Sequence, residues 1–436
     1  MRILFVNEYF VPSAPGGAEW SLFHLARSLG ERGHAVAVLT CAPAGEDEEK
    51  VREYDRRLAE SGGVSVRRFA VSRKVQADNA VFPSYVFGNP LFHRRYGAEI
   101  KKEIRAFGPD VVHAQGYDSY EPALNASRSS RLPCVATVRD YRALCPVSIC
   151  LHSNDEAPAG CSYADFRSCC QEYLEDYELD LKYFKKQKHD LRRMLEWRNS
   201  REAGRALASM TGAVFVSHRI LEIYRGAELA PKNSQVIYNL PAPLEQGDKL
   251  NPPDRAKEYC AKPYIAFAGR YSIGKGAKVL SEAMKIVGLS RPDIHCLVAG
   301  RREAQVHSEK MMFLGTLSPS ALSEVFQKAE MVVLPSRWPE PLSRVLIEAS
   351  LLGTPIVATD AGGSAEVIVD GYNGRLAPRN DPHALATAIL EMLNSSEGDK
   401  RRMKQSAKKR ALEIFDSNSI LQQMENFYLQ SMDEMR

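Results

Sequence analysis

Long hydrophobic runs are missing from this chain. No apolar stretch reaches the ~20 residues that a bilayer span needs. The opening "MRILFVNEYFVPSAPGG" is broken at Asn7 and Glu8, so it reads as a first core strand and not as a secretory signal. The expected location is the cytoplasm. Charge of one sign is also scarce: a formal net charge of +4 over 436 residues is too mild to imply nucleic acid. The nine cysteines are odd in number, which in a reducing compartment argues against a disulfide framework. The P-loop pattern G-x-x-x-x-G-K-[ST] is not matched by the glycine-rich turn "FAGRYSIGKGAKVL", where Gly276 follows the lysine in place of Ser or Thr. What remains, with 44% apolar and 26% charged residues, is the composition of a globular protein too long for one core.

Two alternating series follow along the chain. "RILFV", the turn "PSAPGG", and "AEWSLFHLARSLGERG" read as strand, loop and helix, with Trp20, Leu22, Leu25, Ala26 and Leu29 at helical spacing. "AVAVLT", "DVVHAQ", "CVATVR" and "GAVFVS" continue as strands separated by helix-length segments, the pattern of a doubly wound parallel sheet. From Asn239 to Lys262 the chain is rich in proline and polar residues without periodicity, as a linker would be. A second series then reads "PYIAFAG", "IHCLVAG", "MVVLP" and "PIVAT", with a helix opening on Asp381 and Pro382. The expectation is an α/β protein of two Rossmann-like domains facing a cleft: 1–240, a linker at 241–262, 263–414, and a final helix at 415–436 crossing back to the first domain. The segment from Glu172 to Met210 is acidic first and basic later, which suits a solvated helix or a basic surface on anionic lipid headgroups. Peripheral contact with the inner face of the cell membrane is the corresponding expectation.

Ligands in such sheets bind beyond the carboxyl ends of the strands, and four segments converge there. After the first strand, Gly16 and Gly17 let the backbone approach a ligand and offer amides at a helix start, which suits phosphate. In "FAGRYSIGKG", Arg270 and Lys275 place two cations beside another helix start. In "PEPLSRVLIEAS", Glu340 lies just outside a helix that Ser343 would cap, while Glu348 lies more than one turn inside, on the order of 10 Å further along the axis. Carboxylates accept hydrogen bonds from sugar hydroxyls, so this pair looks like two clamps on a ligand with a diphosphate between two sugars. "DAGGSAEVI" is a fourth glycine-rich turn without a readable function.

The series "PGGAEW", "DVVHAQ", "VIYN", "FAGRYSIGKG", "FLGTLS" and "VVLPSRWPEPLSRVLIEASLLGTPIVATDAGGSAEVIVDGYNGRLAP" resembles glycosyltransferase family 4, of the two-domain GT-B fold, over nearly the whole chain. The resemblance implies a retaining transferase that moves a sugar from a UDP- or GDP-sugar donor to a glycan or a polyprenyl- or lipid-linked acceptor. Cell-surface polysaccharide or glycolipid biosynthesis would be its setting, with no cofactor or catalytic metal required and no nucleic-acid partner. It implies that Arg270 and Lys275 hold the diphosphate, Glu340 meets the donor sugar, Glu348 binds the ribose diol, and Gly16 and Gly17 approach phosphate and acceptor. The catalytic set would be Glu340, Arg270 and Lys275. Gly269, Leu342 and Ser343 fall in the same donor-binding motifs, and His113, Arg139 and Asp140 are candidate sugar or acceptor contacts. Physically, a departing diphosphate gains charge in the transition state, so fixed cations stabilise it most there.

Two positions depart from the family pattern. Arg139 stands where many members have histidine near the donor sugar, and Ser343 where glycine is common. They motivate one alternative, a nucleotide-sugar-binding partner protein that has lost catalysis; a nucleotide-sugar epimerase or hydrolase on the same fold is another. Cys145, Cys150, Cys161, Cys169 and Cys170 with His152 form a local cluster whose irregular gaps leave three readings. These are a structural metal site on Cys145, Cys150, Cys161 and Cys169, reduced packing cysteines, or a redox-labile lid.

Overall fold

The computed structural model describes residues 1–13, 16–42, 48–71, 87–146, 162–169, 190–242, 251 and 254–435. The first half holds seven parallel strands: β1 (Arg2–Val6), β2 (Ala35–Cys41), β3 (Val64–Phe69), β4 (Val111–Ala114), β5 (Cys134–Val138), β6 (Gly212–Phe215) and β7 (Ser234–Val236). Their order across the sheet is β3-β2-β1-β4-β5-β6-β7. The register puts Ile3 opposite both Val36 and Val111, so β1 is walled on two sides, and its Ile3, Leu4, Phe5 and Val6 are fully buried. That is why β1 is a continuous apolar run.

The second half repeats the plan with six parallel strands: β8 (Tyr264–Ala268), β9 (His295–Ala299), β10 (Met311–Gly315), β11 (Met331–Leu334), β12 (Ile356–Thr359) and β13 (Gly374–Ala377). Their order is β10-β9-β8-β11-β12-β13. Each sheet therefore reverses direction of winding once, between β1 and β4 in the first and between β8 and β11 in the second. Such reversals open a crevice at the strand ends. The apolar core of the first sheet continues onto one face of the second through Leu346 and Ile347, whereas Phe267, Val298 and Val333 belong to a separate core on the other face.

The helix Gly17–Glu31 buries Leu22, Leu25, Ala26 and Leu29 as its spacing predicts. Trp20 departs from that stripe: it is exposed and stands edge-on to Phe23, with ring centroids 5.7 Å apart. The helix Pro382–Leu393 opens as expected, with Asp381 accepting from the Ala384 N–H at 2.9 Å and proline in its first turn. The helix Ser417–Asp433 packs against the first half. Glu425 on it accepts from Arg32 Nε and Nη2 at 2.8 and 2.9 Å and contacts His34 at 2.9 Å. No helix among the described residues is long and apolar enough to cross a membrane.

Candidate active site

Two loops of the second half interlock beyond the β8/β11 reversal. Gly276 adopts φ +82° at the start of the helix Ala277–Ser290, and a Cβ there would lie 1.8 Å from the Pro335 carbonyl oxygen, so only glycine lets the loops close. The Arg337 N–H donates to the Gly274 carbonyl at 3.0 Å, tying the loops further. Within this clasp the Lys275 ammonium contacts Glu340 Oε1, and Ser336 donates to Glu340 Oε2 at 2.7 Å. Lys275 also lies 5.4 Å from the centre of the Trp338 ring. Glu340 is buried, so its charge is held by a cation and a hydroxyl and not by bulk water. Arg270 is exposed, and its side chain makes no hydrogen bond or ion pair among the described residues. Gly269 has φ +122°, and a Cβ there would meet open space, so that strand end is accessible from the crevice.

The Glu340 carbonyl accepts from the Gly363 N–H at 2.8 Å, while Gly362, at φ +58°, sits so close that a Cβ would approach that carbonyl oxygen to 1.9 Å. The fourth glycine-rich turn is therefore a mould for the Glu340 loop. Leu342 and Ser343 are buried. Ser343 precedes the helix Arg344–Leu351 without a side-chain cap, which corrects the expectation that its hydroxyl would cap that helix. The amides there are not satisfied by that side chain.

The first half supplies the opposite wall. Gly17 begins a helix directly against Arg344, whose Cδ would lie 2.8 Å from a Cβ at Gly17. Arg344 bridges the halves: it donates to Ser21 Oγ at 3.1 Å and to Glu348 Oε1 at 3.0 Å. Gly17 and Glu348 thus flank one guanidinium. Gly16 donates to Glu19 Oε2 at 3.0 Å, closing the turn locally. Tyr141 Oη donates to the Pro339 carbonyl at 2.6 Å and its ring meets Trp338 edge-on, so the loop after β5 abuts the Glu340 loop.

Arg139, just past β5, donates from Nη1 to Gln115 Oε1 at 2.5 Å and from Nε to Asn239 Oδ1 at 3.2 Å. Partial burial, by desolvating the charged form, lowers its pKa to about 10, so it stays charged at neutral pH. Asp140 is committed to Arg142, accepting from its Nε at 2.7 Å and its N–H at 2.9 Å. His113 corrects the expectation of a sugar contact. It is fully buried in β4, one ring nitrogen 2.8 Å from Tyr428 Oη and the other 2.7 Å from Thr137 Oγ1, and burial holds its pKa well below the usual range. A neutral imidazole with both nitrogens satisfied serves to join the final helix to the sheet.

Sequence reading missed a buried acidic pair at the β1/β4 reversal. Burial, then the neighbouring Asp118 carboxylate, push the Glu8 carboxyl up to about 8. Glu8 Oε1 has no hydrogen-bond partner among the described residues, and Asp118 accepts from Asn199 Nδ2 at 3.0 Å. The polar break at Asn7 and Glu8 was the available signal. Cys145 is buried and Cys169 partly so, while Cys150, Cys161, Cys170 and His152 lie outside the described residues. No group of three or more metal-ligating side chains occurs among the described residues.

With this geometry in view, two families match successive parts of the chain. The family described as Glycosyltransferase Family 4 matches residues 15–240, and that described as Glycosyl transferases group 1 matches 253–410. An uncharacterized glycosyltransferase of Methanocaldococcus jannaschii is 24% identical with 100% of both chains covered. A glycogen synthase of Mycobacterium tuberculosis is 25% identical over 98% of this chain and 94% of its own. Among solved structures, that of Anabaena HepE in complex with UDP matches with a TM-score of 0.65 at 21% identity, covering 98% of this chain and 99% of that one. The fold is GT-B.

Proposed function

The chain belongs to glycosyltransferase family 4, and from that premise we propose a retaining, metal-independent transfer of a sugar from a UDP- or GDP-sugar to a glycan or lipid-linked acceptor. The observation that carries this reading is the Lys275–Glu340 pair, clasped by two loops at the β8/β11 reversal with Arg270 unpaired beside it. In the proposed complex the diphosphate takes Arg270 and Lys275, which releases Glu340 toward the donor sugar. The charge that builds on the departing diphosphate falls on fixed cations and on the start of the helix Ala277–Ser290. Glu348 takes the ribose diol, exchanging part of its contact with Arg344. The UDP named in the HepE complex supports a uridine donor here too. Gly16, Gly17 and the strand ends of the first half would receive the acceptor, in a pathway of cell-surface polysaccharide or glycolipid assembly.

The test is a thermal-shift screen of the purified protein against UDP, GDP, ADP and their sugar conjugates, repeated with Glu348→Ala and Lys275→Ala. Nucleotide-specific stabilisation that both substitutions erase is the expected result. No stabilisation by any nucleotide at millimolar levels would remove the reading.

A further inference from the structure

Arg139 is a half-buried charged group without an ion-pair partner among the described residues. Its hydrogen bonds go to two neutral amides, Gln115 and Asn239, and it forms no ion pair among the described residues. A neighbouring carboxylate, Glu19, is half-buried and pushed up from its ordinary value by desolvation, with Oε2 engaged by the Gly16 N–H. Arg344, from the other half, adds a second positive charge to the same neighbourhood. Two half-buried cations side by side repel each other, and a ligand anion placed between them would offset that cost.

The geometry also says where that anion would sit. A guanidinium has five N–H donors, and the two amides use one on Nε and one on Nη1, so three remain on the Nη1 and Nη2 end. That end offers the parallel pair that matches a carboxylate. Two residues further on, Tyr141 holds the carbonyl of Pro339, the residue before Glu340. Arg139 therefore belongs to the loop of the first half that abuts the residue before Glu340, whereas Arg270 and Lys275 belong to the loop of the other half.

Resting on the function proposed above, we infer that Arg139 is a specificity-determining residue that binds the carboxylate of an acidic sugar, making the donor a nucleotide-linked hexuronic acid. No bond changes at Arg139; it selects and orients.

The experiment compares, by calorimetry on the full chain, UDP-glucuronic acid with UDP-glucose and GDP-mannuronic acid with GDP-mannose, with UDP and GDP alone as reference. The protein should bind one acidic sugar nucleotide about tenfold or more tightly than its neutral counterpart. Arg139→Gln should bring the two within about threefold, and Arg139→Lys should keep part of the preference. Binding of UDP or GDP with no preference for the acid would overturn this inference and leave the donor site standing. Arg139→Gln weakening UDP or GDP alone as much as the sugar conjugates would overturn it too, by making Arg139 a diphosphate ligand. Failure of both nucleotides to bind would instead remove the donor-site reading beneath it. Should Arg139→Gln not fold, the preference of the unaltered protein and of Arg139→Lys still decides.

Discussion

Glu366, carried by the second half, caps a helix of the first: its two carboxylate oxygens accept the backbone N–H groups of His218 at 2.9 Å and Arg219 at 2.8 Å. Tyr238 Oη donates to the same carboxylate at 3.0 Å. Caps usually come from the residue just before the helix, here Ser217, so this one couples helix stability to the docking of the halves. Glu366→Ala should cost about 1–2 kcal/mol in urea unfolding. Glu366→Gln, which keeps one acceptor, should cost less.

Tyr141→Phe leaves the Pro339 carbonyl without its 2.6 Å donor in a buried place. A loss of about 1–3 kcal/mol is expected. Because Pro339 precedes Glu340, turnover should fall more than nucleotide binding does, which steady-state kinetics and calorimetry would separate.

Lys275→Ala removes the cation from buried Glu340 and leaves Ser336 as its remaining partner. Turnover should drop roughly 10²–10³-fold with the circular dichroism spectrum preserved. Near-normal turnover would show that the diphosphate is stabilised elsewhere.

Gly362→Ala forces a side chain into φ +58° and places its Cβ 1.9 Å from the Glu340 carbonyl oxygen. Stability should fall by roughly 3 kcal/mol, with the Glu340 loop displaced and activity lost. Gly269→Ala, strained at φ +122° but facing open space, should be the milder of the two in the same unfolding assay.

Glu8 makes the fold sensitive to alkali. Its pKa in the folded state is about 8 against an ordinary 4.5, so over that interval the folded chain binds more protons than the unfolded one. Stability from this group is full below about pH 4.5 and declines as pH rises to about 8. Glu8→Gln should therefore raise the melting temperature at pH 8 more than at pH 5. Equal shifts at both values would mean that the buried carboxyl does not titrate in this way.

The central strands were legible because burial on both faces makes them uninterrupted apolar runs, as in "ILFV" and "MVVL". The four strands that the apolar pattern did not single out, β3, β7, β10 and β13, are the four edges of the two sheets. An edge strand has one neighbour and partial exposure: "VSVRRF" mixes two arginines into β3, and the three residues of β7 are only half buried. The donor-side motifs were readable because phosphate chemistry demands glycine and cations close together in sequence. What joins the halves was not: Tyr141 to Pro339 and Glu366 to His218 are pairings over long separations, and local spacing carries no trace of them. His113 looked available because a histidine in a strand does not announce that Tyr428, 315 positions away, will close over it.

The chain passes between the halves twice, once after Tyr238 and once at Phe415, and these two residues touch, with ring centroids 5.6 Å apart at 74°. Two tethers side by side define an axle. Relative movement is then expected to favour rotation about one line, as in a book on its spine, over sliding. The two facing walls would then separate and meet again in the same alignment, and a substitution at Phe415 should alter how far the book opens, a quantity small-angle scattering reads directly, before it alters what the facing pages hold.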